Sequence, residues 1–383
     1  MTAAAFVPVP SPPPSAPAPP AAAGAGMRVA LVTPHFAPAV RGNAVTVQRI
    51  AAGLRDRGLD VVVVSLDEVP DPEAATRLEA LRPRVVHGFH AYQTGPLVAR
   101  VARTLGVPAI ITMTGTDVNH DLFDPARRPA VAAALEGAQA IVVFHDVMAE
   151  KLGREFPAVR GKVRVIGQSV RCEEEHFDLR ARLGVGPEAF LFFLPAGVRR
   201  VKNVLYALKP LEALRRRHPQ IHLVIAGPIL EEAEGERLRA AAAARPWLHH
   251  VGPLSHGEIC ACLKTVDVVL NTSLSEGGMS NAILEAMSVA VPVLASAIEG
   301  NRTILADGVD GLLYASEEEF EAKAEVLLRD PLLRRRLGGA GKAKVDREHP
   351  VRAEVGEYEA LYRALAMAGA GVGHTEPRMP GAG

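Results

Sequence analysis

Between Met27 and about residue 367 the chain alternates short, wholly apolar runs with longer helical stretches, and it does so twice. The first series is RVALVT (28–33), a helix from about Asn43 to Arg57, VVVV (61–64), VVH (85–87), PAIITM (108–113) and AIVVF (140–144). The second is FLFFLPAG (190–197), a helix from about Asn203 to Arg217, IHLVIAG (221–227), LHHVG (248–252), DVVLN (267–271) and VPVLA (291–295). Strands with no polar face must be covered on both sides, which a parallel sheet with crossover helices provides. The pattern therefore predicts an α/β protein of two Rossmann-like, doubly wound parallel-sheet domains facing a central cleft. The expected domains are 27–170 and 185–349, with the linker between about Gly167 and Gly186. A last amphipathic helix, 350–367, follows. The Ala/Pro-rich residues 1–26 read as a disordered arm without signal-peptide features, and 368–383 as a loose tail.

Bulk composition narrows the partners. Lys+Arg and Asp+Glu both number 43. That balance argues against nucleic acid as the main partner, because phosphate backbones select basic surfaces. No apolar run reaches the roughly 18 residues of a membrane helix. Cys172, Cys260 and Cys262, an odd set without framework spacing, are expected to be reduced thiols of a cytoplasmic protein.

In open α/β sheets ligands bind beyond the carboxyl ends of the strands, and four segments there carry chemistry. After the first strand, Gly42 and Asn43 open a helix whose amides could face an anion or a sugar hydroxyl, or simply form a cap. After the fourth, Thr114, Gly115, Thr116 and Asp117 crowd a strand end. Asp117 there is either a helix cap or a ligand contact. In PAGVRRVKN, Gly197 ends a strand, and Arg199, Arg200 and Lys202 precede the expected helix. Cations at a helix N-terminus oppose its macrodipole, a conflict that a bound diphosphate would resolve. The last segment, SLSEGGMSNAILEAM, sets Glu276 in a glycine-rich loop and Glu285 in the helix capped by Ser280 or Asn281. With no apolar pocket evident to raise a pKa, the two glutamates suit acceptors of sugar hydroxyls better than an acid/base pair. No G-x-G-x-x-G follows the first strand, which excludes an ordinary dinucleotide dehydrogenase.

The segment SLSEGGMSNAILEAMSVAVPVLASAIEGNRTILADGVDGLLY resembles the signature of family 4 retaining glycosyltransferases, which have the two-Rossmann GT-B fold. Ser275, Glu276, Glu285, Ala286, Met287, Pro292, Val293, Asp307, Gly308, Gly311 and Leu312 stand at matching positions. The likeness extends from Met27 to about Met367. RGNAVTVQR, GTDVNHD, GVRRVKN, HLVIAGP and SEGGMSNAILEAM most resemble the glycosyltransferase 1 domain-containing protein group. GTDVNHD and LASAIEGN are also similar to bacterial selenosugar synthases, which join a nucleotide-sugar donor to selenophosphate.

The resemblance implies roles. Glu285 would hold the donor ribose and Glu276 a hydroxyl of the donor sugar. Arg199 and Lys202, with Arg200 beside them, would grip the diphosphate and stabilise its developing charge. Gly197, Gly278, Met279 and Ser280 would border the donor, the last three offering backbone N–H groups. Gly42, Asn43, Thr114, Gly115, Thr116 and Asp117 would face acceptor or phosphate. Three departures stand out. Eight residues separate the glutamates where the family has seven, and the Gly277–Gly278 turn can absorb the extra one. Met113-Thr114-Gly115 occupies the place of a common family histidine, with His90 and His120 as nearby substitutes. The arginine–lysine spacing is one residue short.

No D-x-D occurs, which suits the metal-independent class. The expected activity is metal-independent, cofactor-free, retaining transfer from a nucleotide-diphosphate sugar, most simply a UDP-sugar, to an unidentified acceptor. The resemblance leaves peripheral association with the inner face of a membrane open. The alternatives are a selenosugar synthase and a nucleotide-sugar-binding protein that has lost transfer.

Overall fold

The computed structural model describes residues 26–36, 42–276 and 278–370. The expected arm, apart from Gly26, and Gly277 of the double glycine lie outside the described residues. The first half runs β1 (Arg28–Thr33), α1 (Gly42–Asp56), β2 (Asp60–Ser65), α2 (Asp71–Leu81), β3 (Val85–Phe89), α3 (Ala91–Leu105), β4 (Ala109–Thr112), α4 (Arg128–Gly137), β5 (Ala140–Val143), α5 (Asp146–Glu155) and β6 (Val163–Val165). The second runs α6 (Leu179–Leu183), β7 (Phe190–Pro195), α7 (Leu208–Arg215), β8 (Ile221–Ala226), α8 (Glu232–Ala243), β9 (Leu248–Gly252), α9 (His256–Leu263), β10 (Val268–Asn271), α10 (Asn281–Ser288), β11 (Val293–Ser296), α11 (Glu299–Arg302), β12 (Leu312–Tyr314), α12 (Glu317–Arg329) and α13 (Pro331–Glu348), and α14 (Val351–Ala370) closes the chain.

Two six-stranded parallel sheets result, ordered β2-β1-β3-β4-β5-β6 and β12-β11-β10-β7-β8-β9. The central strands β3, β4, β5, β10 and β11 are buried along their whole length, as apolar runs without alternation require. Strand order reverses between β1 and β3 in one sheet and between β7 and β10 in the other. The loops leaving those four strands therefore diverge and open a crevice on each sheet. The two crevices form opposite walls of one cleft.

The last helix returns to the first domain. Tyr358 and Tyr362 of α14 are fully buried there, and the Tyr362 hydroxyl meets His87 Nδ1 at 2.6 Å. Glu354 takes a two-pronged hydrogen bond from Arg49 of α1 at 2.9 and 3.1 Å, with both side chains buried. Ser169 of the linker donates to the same carboxylate at 2.5 Å. Removing one partner of such a buried pair costs about 3–5 kcal/mol, so the staple ties α1, linker and α14 together.

Three expectations are corrected. The single helix from Asn203 to Arg217 is instead a 3-10 turn over Arg200–Lys202, then Asn203 in the left-handed region (φ 45°), then α7 from Leu208. The cations of GVRRVKN precede no α-helical N-terminus, so the macrodipole argument for an anion there fails. Residues 368–370 of the expected loose tail belong to α14, which continues through Ala370, and 371–383 lie outside the described residues. Cys172 and Cys260 are not reduced thiols but form a disulfide, with Cα atoms 5.5 Å apart, whereas Cys262 is free and buried. The fold brings linker and α9 together across 88 residues of sequence, which spacing alone does not reveal. No helix among the described residues is long and apolar enough to cross a membrane.

Candidate functional site

A cleft of about 610 Å³ lies between the two sheets' carboxyl ends. Its C-terminal wall comes from the loops after β7, β8, β9 and β10. Lys202 reaches the cleft from the 3-10 turn, and its Nζ donates to Glu276 Oε1 at 2.5 Å. The Glu276 carboxylate also accepts from Ser273 Oγ (2.7 Å) and Asn271 Nδ2 (3.1 Å). Burial alone would raise the Glu276 pKa; Lys202 and these donors outweigh it and hold it below the ordinary carboxylate value. Lys202 and Glu276 are thus paired with each other across the donor-side wall.

Arg199 lines the same wall, and its Nε is buried with no partner among the described residues. Arg200, one residue on, is exposed, lies outside the cleft lining, and spends its backbone N–H on Glu231 at 2.9 Å. The backbone of Arg199 is extended, so consecutive side chains point to opposite sides. The structure separates the two arginines, placing Arg199 and not Arg200 on the cleft wall.

Glu285 is buried one turn into α10 and accepts from His256 Nε2 at 3.0 Å. That hydrogen bond is the main reason the His256 pKa is raised, against the effect of burial. Ser280 stands at the N-cap position of α10, yet its hydroxyl caps nothing and instead accepts from Asn271 Nδ2 at 3.2 Å. The first amides of α10 consequently lack a side-chain cap, the state in which a helix start accepts an anion. Gly278 and Met279 border this end of the cleft. A Cβ on Gly278 would come within 2.7 Å of Phe144 in the other domain, so glycine is what lets the walls approach. Gly197 is constrained likewise by Leu230, at 2.7 Å.

The N-terminal wall holds Gly42, Asn43, His90, Thr114, Gly115 and Thr116, with His120 exposed at its rim. Asn281 Nδ2 crosses the cleft to donate to the Gly42 carbonyl at 2.9 Å. Gln168 of the linker donates to Thr46 (3.0 Å) and Asn281 (3.2 Å). Asn119 Nδ2 donates to the Glu276 carbonyl at 3.1 Å. Asp117 departs from expectation, being fully buried and outside the lining. Its carboxylate accepts the backbone N–H groups of Ala91, Thr114, Gly115 and Val118 at 2.8–3.1 Å. It holds the loop, and in doing so it occupies the backbone N–H groups of Thr114 and Gly115.

Residues 21–168 match the family described as Glycosyl transferase 4-like domain, and residues 177–344 match Glycosyl transferases group 1. The protein is a glycosyltransferase of the GT-B fold. The enzyme is 27% identical over 335 residues to Glycosyltransferase 1 domain-containing protein 1 of Xenopus tropicalis, covering 86% of this chain and 96% of that one. Among solved structures it resembles sucrose-phosphate synthase from Thermosynechococcus elongatus (TM-score 0.76, 19% identity, 89% of this chain and 100% of the other). It also resembles Anabaena HepE in complex with UDP-glucose (TM-score 0.74, 15% identity, 88% and 100%).

Several residues of the glycosyltransferase cleft escaped the sequence reading: His256 beside Glu285, Asn281 and Gln168 across the hinge, and Asp121 and Arg127 on the N-terminal wall. His256 follows β9 after three residues, so the strand-end rule applied to every loop would have reached it. Asp121 ends the GTDVNHD segment that was already singled out. No group of His, Cys, Asp and Glu side chains among the described residues is arranged to hold a metal ion.

Proposed function

We propose that the enzyme is a retaining, metal-independent glycosyltransferase that takes a sugar from a UDP-sugar and passes it to an acceptor on the N-terminal wall. The observation that carries this reading is the Arg199 guanidinium, buried at Nε without a partner in the same cleft as Lys202 and the uncapped start of α10. A buried unpaired cationic donor is costly, and a diphosphate would satisfy all three groups. HepE, which shares the fold, binds UDP-glucose.

Glu285, oriented by His256, would accept the ribose hydroxyls. Lys202 would exchange Glu276 for the diphosphate, and Glu276, so released, would take a hydroxyl of the sugar. As the glycosidic bond breaks, negative charge grows on the leaving diphosphate. Arg199 and Lys202 would stabilise it, the part a divalent ion plays elsewhere. Retention without a protein nucleophile calls for attack from the face the diphosphate leaves, with the leaving phosphate accepting the acceptor's proton.

The test is proton NMR of a reaction of UDP-glucose or UDP-N-acetylglucosamine with a panel of acceptors. The expected product keeps the donor's anomeric configuration, and EDTA leaves the rate unchanged. Inversion, or loss of turnover in EDTA restored by Mg²⁺ or Mn²⁺, contradicts the proposal.

A further inference from the structure

Seven buried side-chain polar atoms lack a partner among the described residues, and four of them line the cleft: Asn43 Oδ1, Asp121 Oδ2, Gln168 Oε1 and Arg199 Nε. Arg199 belongs to the donor wall. The other three are hydrogen-bond acceptors on the N-terminal domain and the linker, and no donor among the described residues reaches them.

Asp121 says most about what would. It is 1% exposed, and Arg127 Nη1 holds its Oδ1 at 2.7 Å, leaving Oδ2 open. His90 Nε2 stands 3.7 Å from that Oδ2, close enough for charges to interact but too far for a hydrogen bond. His90 Nδ1 accepts the Gln93 backbone N–H at 3.3 Å, so a neutral ring carries its proton on Nε2. The imidazole is kept there by a costly backbone, with φ at 94° in a residue that is not glycine. A donor and an acceptor therefore face each other across a gap that neither closes.

We infer that this gap reads a hydroxyl of the acceptor, and that the acceptor is a neutral polyhydroxylated molecule, a sugar or cyclitol, in preference to an anion. A hydroxyl accepts from His90 Nε2 and donates to Asp121 Oδ2 in one position. A phosphate or carboxylate oxygen can accept from His90 but brings no proton to Asp121. The charge around the gap agrees. Arg127 is shared between Asp121 and Asp124, the second at 3.4 Å, so two carboxylates face one guanidinium. Further hydroxyls of the same molecule would supply the donors that Asn43 Oδ1 and Gln168 Oε1 lack. The inference rests on the transferase reading for the occupant of the opposite wall.

The test is isothermal titration, with and without saturating UDP, of a panel of neutral monosaccharides and cyclitols and of orthophosphate, using wild type and Asp121→Asn. The variant keeps the carboxylate's shape and, with its oxygen still facing Arg127, turns the open Oδ2 into an NH₂ donor. With UDP saturating the donor wall, neutral polyols are expected to bind wild type better than orthophosphate does. Asp121→Asn should weaken them by roughly tenfold or more and strengthen orthophosphate, while UDP affinity, which reports both folding and the donor wall, stays the same. In saturating UDP, tighter binding of orthophosphate to wild type, no binding of any neutral polyol, or an unchanged preference in the variant overturns the inference. Loss of UDP binding in wild type would instead sink the donor reading, a separate result.

Discussion

Glu285 and His256 form a pair that pH can interrogate. The folded-state pKa of His256 lies above its ordinary 6.5, chiefly through its hydrogen bond to Glu285. A group whose pKa rises on folding adds stability that is complete below its unfolded pKa and is lost as pH climbs through the folded value. The difference in unfolding free energy between wild type and His256→Asn should therefore be largest below about pH 6.5 and shrink as pH rises above it. Urea unfolding across that range measures it, and a pH-independent difference would mean the pair is not charged. The same scale separates Arg199 from Arg200. Their adjacency in sequence hid a division that one extended residue creates, one guanidinium facing the cleft and the other facing solvent.

At the scale of elements, the Cys172–Cys260 disulfide ties the interdomain linker to α9, the helix that carries His256. Reduction with a dithiol, or Cys172→Ser, should lower stability by about 2–4 kcal/mol. Equal melting temperatures for oxidised and reduced protein would count against a formed bond. The elements themselves were legible to very different degrees. β1, β7 and β8 announce themselves as apolar runs because they are buried on both faces. β6 did not, since it is a three-residue edge strand that is mostly exposed. β12 is as short, and its three residues make too brief an apolar run to stand out as a strand. The region 203–217 carries a helical pattern, but Asn203 takes a left-handed backbone and turns follow it, so α7 starts only at Leu208. The glycine-rich loop and the cations were legible because unusual residue types cluster at strand ends. The pairing of Lys202 with Glu276, the use of Asp117 as a loop organiser and the open oxygen of Asp121 depend on contacts between segments far apart in sequence.

For the whole molecule, the cleft is bridged in this state. Asn281, Gln168 and Asn119 make hydrogen bonds between the walls, and Phe144 packs close to Gly278. α14 fastens the two halves from behind: His87 is fully buried between Tyr362 and Thr112, and burial pushes its pKa down to about 3. The neutral overall charge places the attraction for a nucleotide diphosphate in a local cationic pocket and not in the protein's general field. Three arginine and lysine variants test that pocket most directly. Arg199 makes no hydrogen bond or ion pair through its guanidinium among the described residues, so Arg199→Ala should leave the melting temperature of the free protein almost unchanged. Lys202→Ala should lower it, because Glu276 is left buried and unpaired. The decisive measurement is UDP binding by isothermal titration to wild type, Arg199→Ala, Lys202→Ala and Arg200→Ala. Wild type and Arg200→Ala should bind alike, and Arg199→Ala and Lys202→Ala should each lose about tenfold or more, as expected for a charge-assisted contact. Undiminished binding by Arg199→Ala, or a loss confined to Arg200→Ala, would contradict the account.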